Sequence, residues 1–121
     1  MIKVAKFGGS SVADAGQFKK VRDIVRADHD RRFVVVSASG KRFPSDNKIT
    51  DLLLLVNAHI AYHVDCTALL KDIEQRYVDI AEELGLKYPI ARKFEEFSAV
   101  IKSLSPEYIV SRGEWFTGQL M

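Results

Sequence analysis

The sequence has 121 residues, 47% hydrophobic and 28% charged, which allows one domain at most with a hydrophobic core. Its 18 basic and 16 acidic residues give a formal charge of only +2, spread along the chain, which excludes a strongly basic surface for nucleic acid or an anionic membrane. The single cysteine excludes an internal disulfide framework and is typical of a reducing compartment. No apolar run is long enough to span a bilayer. We therefore expect a cytoplasmic protein with neither nucleic acid nor a membrane as partner.

The first predicted element is a short buried strand over residues 2–5, followed by the Gly8-Gly9 turn and a helix. The apolar residues of this helix recur at helical spacing, and the helix should fade by residues 28–30. Its predicted apolar stripe comprises Phe18, Val21, Ile24 and Val25. A glycine turn lets backbone N–H groups face a ligand, and a helix start adds unpaired donors at the positive end of its dipole. With Lys6 beside it, the segment predicts a phosphate site, although it is neither a Walker A loop nor a dinucleotide fingerprint. The alternative is a plain strand-to-helix turn.

A second strand is predicted over residues 32–37, where β-forming residues follow one another without alternation. That pattern indicates a strand covered on both faces, as in a parallel sheet, and the intervening helix makes a right-handed βαβ unit the default connection. The loop from Ser37 to Lys41 then opens at the same sheet edge as Gly8 and Gly9. Ligands bind at that edge of open parallel sheets. The alternative is an ordinary glycine and serine loop.

The rest of the chain is predicted to be helical. Thr50-Asp51 indicates a helix start, with the helix extending to about Val64. Two apolar stripes follow, one of Leu70, Ile73, Tyr77, Ile80 and Leu84 closed by Gly85 as C-cap, the other of Ile90, Phe94, Phe97, Ile101 and Leu104. Ser105 and Pro106 are typical of the start of a last helix. Because two strands cannot make an independent α/β sheet, we expect the amino-terminal part of a longer protein. The alternative is a complete small helical domain with a strand pair.

Within the last helix, Ser111-Arg112-Gly113-Glu114 is a further candidate site segment. A glycine inside a helix costs roughly 1 kcal/mol relative to alanine, so Gly113 predicts close packing or the close approach of a ligand. The carboxylate of Glu114 is suited to an ammonium group, and the alternative is a solvated surface glutamate.

A metal site is a weaker hypothesis. His59 and His63 lie at the i, i+4 spacing that can bind zinc on one helix face, but Ile60 stands where the zincin pattern requires glutamate. Cys66 is interpreted as a buried structural thiol. We predict no metal ligands among these residues.

Three segments carry a resemblance to a known family. Lys6-Phe7-Gly8-Gly9-Ser10-Ser11-Val12 closely resembles the opening motif of the aspartokinases, members of the amino-acid kinase superfamily, with Ser10 where the family more often has threonine. Residues 35–39 with Thr50-Asp51, and then residues 111–114, resemble the family's later segments in the same order, although the spacer over residues 40–49 is longer. The resemblance implies a three-layer α/β/α, carbamate-kinase-like fold. Residues 1–121 would form its amino-terminal part, with a βαβ start and a helical second half.

The function that the resemblance implies is ATP-dependent phosphorylation of the side-chain carboxylate of L-aspartate to 4-phospho-L-aspartate. This is the first step toward lysine, threonine and methionine. Lys6 would be catalytic and would neutralise the transferring phosphoryl group. The remaining assignments are Phe7, Gly8, Gly9, Ser10 and Ser37 for ATP and its phosphates, with Mg²⁺ bound with the nucleotide, and Thr50 and Glu114 for aspartate.

The resemblance also implies parts outside these residues. The rest of the nucleotide lobe and the regulatory ACT domains would lie beyond Met121, so the 121 residues alone are expected to be inactive, and the full-length protein is expected to be a homo-oligomer. Two alternatives remain: a related kinase acting on acetylglutamate, carbamate or UMP, or a non-catalytic helical assembly module.

Overall fold

A computed structural model describes all of residues 1–121 and contains two strands and five α-helices. In chain order these are β1 (Lys3–Phe7), α1 (Ala15–Arg26), β2 (Arg31–Val36), α2 (Ile49–Ala61), α3 (Thr67–Glu83), α4 (Ile90–Ala99) and α5 (Pro106–Leu120). Short 3-10 turns occur at Gly9–Val12 and Ile101–Ser103. None of the helices is both long and apolar enough to cross a membrane.

The two strands pair in parallel, as the βαβ prediction requires. Phe7 pairs with Val36 and Lys6 pairs with Val35, so both strands end at the same sheet edge. Gly8 and Ser37 are the next residues along the two strands. The sequence prediction that both glycine-containing loops open at one edge is therefore confirmed.

Within residues 1–121, helices cover only one face of this sheet, and the other face is open. Phe7 and Val36 pack against the core on the covered face, where α1 and α5 contact β2. On the other face Val4, Phe33 and Val35 are 67%, 59% and 47% exposed. The unbroken apolar run of β2 is typical of a strand covered on both faces, and residues 1–121 supply helices for one face only. The strands therefore present an open apolar face.

We expect this open face to make the isolated chain associate, because contiguous exposed apolar surface and unpaired strand edges favour self-association. Light scattering of residues 1–121 should show a mass that rises with concentration. Replacing Phe33 and Val35 together by threonine keeps β-propensity and should reduce association, whereas Tyr62→Ser, at an exposed site outside the sheet, should not. A wild-type chain that stays monomeric at all concentrations would contradict this expectation.

The core lies among the helices. The rings of Tyr77, Phe94, Phe97 and Phe116 pack together with centroids 5.1–5.9 Å apart, so Phe94 and Phe97 are core residues. The predicted stripe of α3 is confirmed, and Gly85 follows its C-cap with a positive φ of 66°. The cap predicted for the last helix is also confirmed, since Ser105 Oγ accepts a hydrogen bond from the amide of Tyr108.

Two predicted apolar stripes differ in part from the helices of the structure. The α4 helix stops at Ala99, and Ile101 reaches the core from the 3-10 turn that follows rather than from a continued α-helix. In α1, Phe18 and Val21 are buried as predicted, but Ile24 is exposed. The difference at Ile101 arises because spacing alone does not distinguish an α-helical residue from one in the adjoining turn.

The helix over residues 49–61 also ends before the predicted Val64. His63 lies beyond it in the left-handed region at φ 56°, so His59 and His63 do not share a helix face. His59 Nδ1 lies 2.7 Å from the carbonyl oxygen of Leu55. The chain contains no group of three or more His, Cys, Asp or Glu side chains arranged to hold a metal ion, and Cys66 is buried, as interpreted from the sequence.

Candidate functional site

The loops after β1 and β2 meet backbone to backbone. The amide of Gly40 donates a hydrogen bond to the carbonyl oxygen of Gly9 at 2.8 Å. A Cβ added at Gly40 would lie 2.7 Å from the carbonyl carbon of Gly9, and one added at Gly9 would lie 3.1 Å from the carbonyl oxygen of Ala38. Close approach of the two loops therefore explains why both positions are glycine.

Gly8 has a different explanation. Its backbone, at φ −73° and ψ 175°, is one that any residue adopts, and an added Cβ would meet no atom within 4 Å. Neither the backbone nor the packing of this chain requires glycine there. The open space next to Gly8 lies at the carboxyl end of β1, where a phosphate could approach the main chain closely.

These two kinds of glycine predict stability effects of different size. Gly40→Ala places a Cβ against the backbone of Gly9, which cannot give way like a flexible side chain, so it should lower the free energy of unfolding by about 1–3 kcal/mol. Gly8→Ala should leave that free energy nearly unchanged. Urea unfolding of residues 1–121, followed by circular dichroism below the association range, measures both. Equal effects of the two substitutions would contradict the distinction.

Three polar side chains near this edge, Lys6, Ser10 and Ser37, have no hydrogen-bond or ion-pair partner within the chain. Lys6 is exposed and takes part in none of the ion pairs. Because Phe7 packs on the core, the alternation of a strand directs Lys6 to the open face of the sheet. Ser10 is exposed in the 3-10 turn, and Ser37 is half-buried directly after β2. The structure thus brings Lys6, Gly8 and Ser37 to one edge.

The start of α1 does not contribute the predicted anion site. The 3-10 turn Gly9–Val12 separates the glycines from this helix, and Asp14 caps it by accepting a hydrogen bond from the amide of Gln17 at 2.9 Å. The carboxylate of Asp14 occupies the positive end of the helix dipole, where it disfavours a second anion. The sequence prediction of this contribution was wrong because spacing gave no indication of the intervening turn.

Gly113 is explained by close packing. A Cβ added there would lie 2.6 Å from the Cβ of Ala38 and 3.3 Å from side-chain carbons of Ile49 and Leu53. The contact holds α5 against both the loop after β2 and the first turns of α2. Of the two interpretations from sequence, close packing is the one that the structure confirms.

The proposed aspartate ligands flank this contact. Glu114 follows Gly113 on α5 and is exposed, and Thr50 follows Ile49 in α2 and is half-buried. Neither side chain forms an ion pair, and the two do not bond each other. Both residues therefore lie next to the packing contact of Gly113, but they do not form a hydrogen-bonded cluster. Their assignment to aspartate stays a prediction.

A buried tyrosine connects these parts, and sequence analysis placed it only on an apolar stripe. The Tyr77 hydroxyl donates to the carbonyl oxygen of Gly113 at 2.9 Å and lies 3.0 Å from Thr117 Oγ1. It also accepts a hydrogen bond from the amide of Ser39 at 3.4 Å, while Ser39 Oγ donates to the carbonyl oxygen of Val12 at 2.7 Å. Burial raises the pKa of Tyr77, so the hydroxyl keeps its proton. A buried tyrosine hydroxyl usually has a hydrogen-bond partner, so the place of Tyr77 on an apolar stripe was the sequence signal for this contact.

Arg76, next to it on α3, is also buried and was also missed. Its guanidinium donates to the carbonyl oxygens of Gly40 at 2.7 Å, Asn47 at 3.0 Å and Ala13 at 3.4 Å. Burial lowers the pKa of Arg76, because the charge is removed from water. Its position between Ile73 and Ile80 on the apolar stripe was the indication in the sequence.

The loop that Arg76 contacts contains an ion pair of its own. Arg42 donates to both carboxylate oxygens of Asp46, at 2.7 and 3.0 Å. The hydrogen bond from Arg42 is the main cause that holds the pKa of Asp46 well below its usual range. A depressed carboxylate pKa stabilises the fold above the unfolded-state pKa, so this contribution is lost only on acidification below about pH 4.

Known proteins resemble the chain in sequence and in fold. A sequence profile described as the amino acid kinase family matches residues 1–111. Aspartokinase 3 of Bacillus subtilis (strain 168) is 41% identical over 95 residues, which are 78% of this chain and 21% of that protein. The crystal structure of Clostridium acetobutylicum aspartate kinase superposes with a TM-score of 0.92 at 44% identity, covering 97% of this chain and 27% of that one.

A third relative was solved with ligands. Escherichia coli aspartokinase III in complex with aspartate and ADP superposes with a TM-score of 0.76 at 30% identity, covering 99% of this chain and 28% of that one. The predicted fold class is thereby confirmed. The chain spans 21% of the curated relative and 27–28% of these solved structures. Because the family profile matches far more than half of the sequence, the chain belongs to the amino acid kinase family.

Proposed function

We propose that this chain is part of an aspartate kinase, which transfers the γ-phosphoryl group of ATP to the side-chain carboxylate of L-aspartate. The observation that carries the proposal is the parallel register, which places Lys6 and the open space at Gly8 beside Ser37 at one sheet edge. The packing of Gly113 on Ala38 brings α5, with Glu114, against the same loop. The binding of aspartate and ADP by E. coli aspartokinase III supports the choice of ligands.

On the nucleotide side, the chain supplies charge and main-chain donors. Lys6, free of any carboxylate partner, would neutralise the phosphoryl group during transfer, and the main chain of residues 7–10 would lie along the phosphates. The Ser37 hydroxyl would donate to a nucleotide phosphate. The open space at Gly8 and the unpaired Lys6 fit a polyphosphate. Mg²⁺ would bind with the nucleotide and add positive charge at the phosphates.

On the acceptor side, Glu114 would pair with the α-ammonium group of aspartate, and Thr50 would donate a hydrogen bond to the same substrate. The aspartate side-chain carboxylate is already ionised at neutral pH, so no general base is needed. One of its oxygens forms a bond to the γ-phosphorus while the bond from that phosphorus to the bridging oxygen breaks. ADP leaves with the electron pair, and 4-phospho-L-aspartate results. Catalysis then depends on positioning and charge neutralisation.

The proposal extends to the whole protein. Residues 1–121 would be the amino-terminal part of the catalytic domain, with the remaining nucleotide lobe and ACT domains elsewhere in a cytoplasmic homo-oligomer. The product would enter lysine, threonine and methionine biosynthesis.

The test is a coupled assay of ADP release by the full-length protein with Mg²⁺ and ATP. L-Aspartate should support turnover, whereas N-acetylglutamate, carbamate and UMP at equal concentration should not. Turnover with one of those three instead would assign the chain to another branch of the family. No acceptor-dependent turnover at all would favour the assembly module.

A further inference from the structure

Arg76 connects the two ends of the loop between β2 and α2. Its guanidinium bonds the carbonyl oxygen of Gly40 near the start of the loop and that of Asn47 near its end. The residues between them form the long spacer that contains the Arg42–Asp46 pair. A loop of this length without internal connections would have many conformations. The hydrogen bonds of Arg76 to both of its ends reduce their number.

The same guanidinium also contacts the segment after β1, residues 8–13, which with the loop after β2, residues 37–48, is proposed to bind phosphate. These are called the two phosphate-binding segments. The guanidinium bonds the carbonyl oxygen of Ala13, directly after the 3-10 turn that begins at Gly9, and Gly40 itself bonds Gly9. One side chain therefore contacts both segments that flank the space beside Gly8. Every one of its hydrogen bonds goes to these segments, and none goes to α5.

The chemistry of the side chain suits this arrangement. Arginine presents several donors in a fixed plane, so one group can bond three carbonyl oxygens that come from separate segments. Arg76 is only 5% exposed, and a buried charge is costly unless it is hydrogen-bonded. Asp46, 3.5 Å away, supplies the nearest opposite charge. Lysine keeps the charge but cannot reproduce this planar set of donors.

We propose that Arg76 is a positioning residue that sets the spacing of the two phosphate-binding segments and thereby controls nucleotide binding. This proposal rests on the proposed function for its substrate, ATP. Because Arg76 bonds both phosphate-side segments but does not contact α5, which carries Glu114, its loss should act more strongly on the nucleotide than on aspartate.

The kinetic test compares Arg76→Met and Arg76→Lys in the full-length protein, with Arg92→Met, at an exposed position of α4, as the control. Arg76→Met should raise the KM for ATP and lower kcat, each by about ten- to a hundredfold, as expected for loss of a supporting contact. The KM for aspartate should rise clearly less than the KM for ATP. Arg76→Lys should be intermediate, and Arg92→Met should match the wild type.

Two further measurements do not depend on aspartate turnover. Calorimetry should show weaker MgADP binding by Arg76→Met, and hydrogen exchange should rise in residues 8–13 and 37–48 but not in α4 or α5. If the wild type binds MgADP but does not phosphorylate aspartate, the proposed function fails, and these measurements still decide the role of Arg76. If Arg76→Met does not fold, Arg76→Lys decides it.

Two results would overturn the inference. One is wild-type ATP and MgADP affinity in a folded Arg76 variant. The other is a parallel rise in both KM values with faster exchange throughout the chain, because that pattern indicates general stabilisation rather than positioning.

Discussion

Lys6→Ala should lower kcat of the full-length protein at least about a hundredfold, the scale of losing one preorganised contact to the transition state. The ammonium has no carboxylate partner in the chain and lies exposed at the carboxyl end of β1. Its removal should therefore leave folding intact, and the loss should be confined to turnover. Steady-state ADP release, with circular dichroism as the check on folding, measures both quantities.

Lys3 provides a matched control on the same strand. It lies at the opposite end of β1, where its ammonium pairs with Asp28 at 2.6 Å. Lys3→Ala removes an exposed ion pair, which contributes little to stability, and it should leave turnover near the wild-type value. Wild-type turnover in Lys6→Ala, or an equal loss in Lys3→Ala, would contradict the assignment of Lys6 to the phosphoryl group.

Glu114→Gln should raise the KM for aspartate strongly while changing the KM for ATP little. The substitution keeps the shape of the side chain but removes the charge proposed to pair with the α-ammonium group. Loss of such a charged hydrogen bond costs roughly 2–5 kcal/mol, which corresponds to about thirtyfold or more in affinity. Because Glu114 is exposed and unpaired, folding should not change.

Glu107, in the first turn of the same helix, serves as the control. Glu107→Gln removes the same charge from α5 nearly two turns before Gly113, and the KM for aspartate should stay at the wild-type value. A fall in ATP affinity alone on Glu114→Gln would show that the site is wrongly divided between its two ligands.

Local patterns predicted the framework of this site well. The βαβ start followed from two apolar strands around an amphipathic helix, and parallel pairing then brought both loops to one edge. The interior glycine of α5 correctly indicated close packing, now seen against Ala38. These features are readable because each depends on residues close together in the sequence or on a strong steric constraint.

Long-range features were not predictable in this way. Arg76 and Tyr77 form hydrogen bonds to backbone carbonyl and amide groups of segments that are distant in sequence. Every residue has such backbone groups, so the sequence does not indicate which of them a side chain will bond. What covers the open face of the sheet could not be predicted, for a related reason. An apolar strand is equally apolar whether its cover comes from this chain or from elsewhere, as at Phe33 and Val35.

The most direct test of the central claim is to trap the product chemically. An acyl phosphate reacts with hydroxylamine to give a hydroxamate, whereas a phosphate ester does not. The full-length protein incubated with ATP, Mg²⁺, L-aspartate and hydroxylamine should form aspartyl hydroxamate in proportion to ADP, and Lys6→Ala should form almost none. ADP release without aspartyl hydroxamate would contradict phosphorylation of the aspartate carboxylate.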